Sequence, residues 1–89
     1  MPDATDAPRE LPAVTFSSFV VSLATSAMGN LGEGPGGATD LEIARHSIDI
    51  LGLLRDKTKG NLDDEESKLL ETVLYEARMK YLEKTRSSA

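Results

Sequence analysis

The stretch Phe16-Ser-Ser-Phe-Val-Val-Ser-Leu-Ala-Thr-Ser-Ala-Met-Gly-Asn-Leu31 contains no ionisable side chain, in a chain where 28% of residues are charged. Phe16, Phe19, Val20, Leu23, Ala27 and Leu31 recur at steps of three and four, the spacing that stacks side chains on one face of an α-helix. A helix over about 16–31 follows. Thr15 or Ser17 is available to accept a hydrogen bond from its first free amides, while Gly29 and Gly32 weaken and then end it. An ordinary surface helix carries charge on its outer side. This one carries none, so the sequence predicts that helix one is built for burial.

Downstream, five of the six residues in Gly32-Glu-Gly-Pro-Gly-Gly37 are Gly or Pro, and periodicity is lost. The segment reads as a loop. It lacks a Gly-Lys-Ser/Thr and a preceding strand, so a phosphate-binding reading fails. Thr39-Asp-Leu-Glu42 has the form of a capping box and predicts a second helix over about 40–58, ending where Arg55, Lys57 and Lys59 meet the negative helix end and Gly60 offers a left-handed cap. Leu41, Ile43, Ala44, Ile48, Ile50, Leu51 and Leu54 spread over half its circumference, more than one neighbour requires. Glu42, Arg45 and Asp49 mark its water side. Asp63 with Glu66 three residues on starts a third helix over about 63–84, with Leu69, Leu70, Val73, Leu74, Ala77 and Tyr81 on its main face. A thinner stripe of Tyr75, Met79 and Leu82 lies on the far side. Residues 1–14, acidic and proline-rich, read as a disordered tail, and 85–89 as a flexible end.

The fold expected is all-α: a single domain over 15–84 in which helices two and three form an antiparallel hairpin and helix one packs centrally. A chain of 89 residues leaves much of its apolar surface wet, and with no cysteine it has no disulfide to reinforce the core. Oligomerisation is the remaining reinforcement, and a dimer is favoured. The net charge is -5 with no basic segment, which argues against nucleic acid. The N-terminus has no basic flank or apolar run of a secretory signal, so a cytoplasmic protein is expected. The stretch 16–31 is too short and too hydroxyl-rich to span a bilayer, although helix one could rest on a membrane surface.

The same residues carry a family likeness. Phe16-Ser-Ser-Phe-Val-Val-Ser-Leu-Ala-Thr-Ser-Ala, then Leu41-Glu-Ile-Ala-Arg and Ile48-Asp-Ile-Leu, then Lys57-Thr-Lys-Gly-Asn-Leu62 with its acidic sequel, resemble a bacterial family of small helical proteins classed as a domain of unknown function. The resemblance covers about Phe16 to Lys84. It implies the helical fold and a cytoplasmic setting, and it brings no activity, cofactor or catalytic residue.

No catalytic, cofactor or metal site assembles from the spacing. His46 with Asp49 or Glu42 carries the alternative reading, a small-molecule-binding or enzymatic domain, but no nucleophile of suitable spacing accompanies it. Asp63, Asp64, Glu65 and Glu66 lack the alternation and glycine of a calcium loop and are explained by helix capping. The informative residues are in helix one. Ser18, Ser22 and Ser26 follow at four-residue steps, a small-residue seam that lets another helix approach closely. Together with Phe16, Phe19, Val20 and Leu23 they are the candidate interaction residues of a non-enzymatic adaptor acting as a homo-oligomer, with an unidentified protein partner as the alternative occupant.

Overall fold

The computed structural model describes residues 13–88, so most of the expected acidic tail, residues 1–12, and the final Ala89 lie outside the described residues. Three helices pack against one another: α1 (Phe16–Gly29), α2 (Leu41–Lys57) and α3 (Asp64–Ser88). The hairpin of α2 and α3 is joined by a short turn in which Gly60 takes a φ of 82°, left-handed space that suits a residue without Cβ. Leu62 in that turn packs against the core.

The core is made by Val20 and Ala27 from α1, Ile48 and Leu51 from α2, and Leu70, Leu74 and Ala77 from α3. Phe16, Leu23, Met28, Leu54, Val73 and Tyr81 close around it, partly buried. Each large side chain fully removed from water contributes roughly 1.5–3 kcal/mol. Small residues let α1 and α2 approach. Ala44 is fully buried, and Ser47 of α2 is buried with its hydroxyl 3.5 Å from that of Ser26 on α1. At the other contact, Gly52 is buried beneath Arg78 of α3, whose Nη2 would lie 3.2 Å from a Cβ added there.

The helix ends refine the expected boundaries. Thr15 caps α1 in a capping box whose N3 member is Ser18: the Ser18 amide donates to Thr15 Oγ1 at 3.0 Å, and the Thr15 amide donates to Ser18 Oγ at 3.1 Å. At the other end α1 stops at Gly29 rather than at Leu31. The amides of Leu31 and Glu33 both donate to the Met28 carbonyl, and Asn30 Nδ2 donates to the Ser26 carbonyl at 2.8 Å, so the last acceptors of the helix are satisfied by a reversing chain. Leu31 is thereby turned inward and fully buried, and it forms a single antiparallel bridge with Thr39.

That bridge also corrects the start of α2. The expected cap, Thr39, is held extended opposite Leu31, and the cap falls one residue later on Asp40, whose Oδ1 accepts from the Ile43 amide at 3.1 Å. Asp63 behaves as its spacing implies. Its Oδ1 accepts from the Glu66 amide at 2.8 Å, and Glu66 Oε1 accepts from the Asp63 amide at 3.0 Å. From there α3 continues to Ser88, past the expected end near 84.

Residues 30–40 thus close into a loop, with the Asp40 amide donating to the Asn30 carbonyl at 2.8 Å. The loop is tied to α3. Lys80 Nζ lies 2.9 Å from Glu33 Oε2 and 3.2 Å from Glu83 Oε1. The hydrogen bond from Lys80 holds the Glu33 carboxyl below the ordinary carboxylate range, and the two carboxylates together raise the Lys80 ammonium above the usual lysine range. Gly32, at a φ of 95°, has Lys84 Nζ where a Cβ would come within 3.3 Å. The basic residues Lys80 and Lys84 of α3 therefore fasten the glycine-rich connector.

Candidate interaction surface

The twist of α1 divides the sequence-derived residues into two groups. Val20 is fully buried in the chain's own core, and Phe16 and Leu23 pack against that core. Val20 lies on the inner face with Ala27, seven residues and almost two full turns further on, and so packs within the chain's own core. Phe19 remains on the outside at 49% exposure, and Val21, which the sequence reading did not single out, stands out at 48%.

Between Phe19 and Val21 the outward face of α1 consists of Ser18, Ser22, Thr25, Ser26 and Gly29 at helical spacing. Two of the hydroxyls, those of Ser18 and Ser22, have local partners. Ser18 Oγ reaches the Ala13 carbonyl at 2.8 Å, and Ser22 Oγ donates to the Ser18 carbonyl at 3.0 Å. Bonded back onto the helix, these hydroxyls present a shallow uncharged strip to whatever lies outside. Ser26 is shared, since its hydroxyl also meets Ser47 across the α1–α2 seam. On its α3 side the strip borders an open apolar groove of about 440 Å³, walled by Val21, Ala24, Thr25 and Met28 with Val73 beneath, and closed by Glu33 and Gly34 of the loop.

The wide apolar arc of α2 is only partly used by its two neighbours. Ile43 is 48% and Leu53 55% exposed, and Ile50 is half-buried. Ile43 and Ile50 belong to the arc of half the circumference read from the sequence, and Leu53 lies outside it. Which part of it would stay uncovered depends on the angle at which α1 and α3 settle.

His46 is exposed on α2, beside Glu42, Arg45 and Asp49 in an open depression of about 290 Å³. The Asp49 carboxylate is met by Arg45 at 3.9 Å, an ion pair between exposed groups that contributes little. Among the described residues, no group of three or more His, Cys, Asp or Glu is placed to hold a metal ion. No described helix is long and apolar enough to cross a membrane.

No curated protein and no solved structure matches the chain. A family model does match, over residues 13–83, which takes in all of α1 and α2, the loop between them and most of α3, the same span as the packed core. The chain belongs to the family described as a domain of unknown function (DUF1844).

Proposed function

We propose that this protein is a non-enzymatic helical interaction module that acts in the cytoplasm as a homo-oligomer, most simply a dimer, through the outward face of α1. The observation that carries the reading is the strip from Phe19 to Val21, half-exposed at both edges and free of charge along its whole length. A surface helix without ionic groups gives up the hydration and like-charge repulsion that keep copies apart. The seam of Ser18, Ser22 and Ser26 supports close approach of a second helix backbone. The size of the domain supports it too, because a core drawn from so few residues benefits from association.

The test is the mass of the free protein by light scattering over micromolar concentrations, for the wild type and for Val21→Glu. Wild type should be dimeric, and Val21→Glu, which alters an exposed position, should be monomeric with an unchanged helical spectrum. A wild type that stays monomeric throughout that range would overturn the reading.

A further inference from the structure

The apolar surface left uncovered on α2 borders the strip on α1. Ser26 and Ser47 mark the line where the two helices touch. On α1, Phe19 and Ser22 precede Ser26 by seven and four residues, so they lie along the same edge. On α2, Ile43 and Ile50 flank Ser47 at four residues before and three after, and lie along the facing edge. Continuing round α2, the arc of about 120° from Ser47 to Leu53 includes His46 and Lys57 as its only ionisable residues. Beyond it come Glu42 and Asp49, where the charged side of the molecule resumes.

We infer that α1 and α2 together form one two-helix docking face, with Ile43, Ile50 and Leu53 as its second half, and that its occupant is a second copy of this chain related by a two-fold axis. The inference rests on the self-association proposed above and specifies its interface. The charge distribution selects the occupant. Two copies each carrying a net charge of -5 repel across any face that juxtaposes their carboxylates, and this face lets them meet with almost no charge opposed. Exposed Ile, Leu, Phe and Val side chains grouped on one face form the kind of patch that marks an association site.

The experiment is sedimentation equilibrium of the full chain and three variants at exposed positions: Ile43→Glu and Leu53→Glu on α2, and Tyr75→Glu on α3 as control. Ile43→Glu and Leu53→Glu should each raise the dimer Kd by about tenfold or more, while Tyr75→Glu leaves it unchanged. Ile43→Ser, which removes apolar area without adding charge, should weaken the dimer in the same direction and guards against a fold defect in Ile43→Glu. Raising the ionic strength should tighten the wild-type dimer, because salt screens the repulsion between acidic copies. A dimer that Val21→Glu dissociates but the α2 variants leave unchanged would sink the two-helix face and keep the α1 reading. A dimer loosened by salt would show an interface held by ion pairs and overturn the neutral face. A monomeric wild type would remove both.

Discussion

Helices α1 and α3 bury side chains in the same core, yet their outer sides follow opposite rules. On α3, Tyr75, Met79 and Leu82 are all exposed, Tyr75 more so than any apolar side chain of α1, but they stand among Glu71, Glu76, Arg78 and Glu83. Scattered apolar groups within a charged surface are ordinary and need no partner. On α1 the exposed Phe19 and Val21 are joined by hydroxyls and a glycine. Both helices leave apolar side chains in water, and what separates them is the charge around those groups. The association proposed for α1 rests on that difference.

The comparison can be broken most forcefully at the core that both helices share. Leu74 and Tyr75 are neighbours on α3, one buried and one exposed. Leu74→Ala should cost about 2–5 kcal/mol in urea unfolding. Tyr75→Ala should stay within about 0.5 kcal/mol. A comparable loss at Tyr75 would mean that the outer side of α3 is covered as well.

The caps sharpen the contrast at a smaller scale. Asp63 places a carboxylate at the positive end of α3, whereas Thr15 caps α1 with a neutral hydroxyl. Asp63→Ala is expected to cost about 1–2 kcal/mol and Thr15→Ala about 0.5–1 kcal/mol, both read from urea midpoints at neutral pH. If the two losses were equal, the dipole contribution assigned to α3 would be absent.

The smallest effect is expected where the loop after α1 meets α3. Glu33 has a lowered folded-state pKa, so its share of stability is present above the ordinary value of 4.5 and is lost as pH falls through the lower folded value. Lys80 is raised, so its share is complete below 10.5 and is lost as pH rises through the higher folded value. Lys80→Gln should therefore be slightly less stable than wild type near neutrality, and the gap should close as pH falls below about 4.5. A gap that persists into acid would mean that Lys80 acts through packing of its stem rather than through Glu33.

Much of this was legible in the residues. The steps of three and four in α1, the Asp63–Glu66 capping box and the basic end of α2 each rest on local geometry, which a sequence encodes within a turn or two of helix. The misplaced features depended on distant partners. Thr39 lost the cap to Asp40 because Leu31, eight residues away, holds it extended. Leu31 left the end of α1 because the chain reverses over Met28 and Gly32. For the candidate surface, the sequence pointed to Phe19 and the serine seam and passed over Val21, while Val20 lies in the chain's own core.

What the sequence determined by itself was that there are three helices, where charge is absent, and that α2 carries more apolar surface than one neighbour can cover. These are properties of composition and period along the chain. Tertiary structure alone decided which part of each apolar arc faces inward, because a helix can rotate about its axis until its bulkiest side chains fit their neighbours. That rotation placed Val20 in the core and left Phe19 and Val21 outside. It also set the uncovered edge of α2 beside the uncharged face of α1.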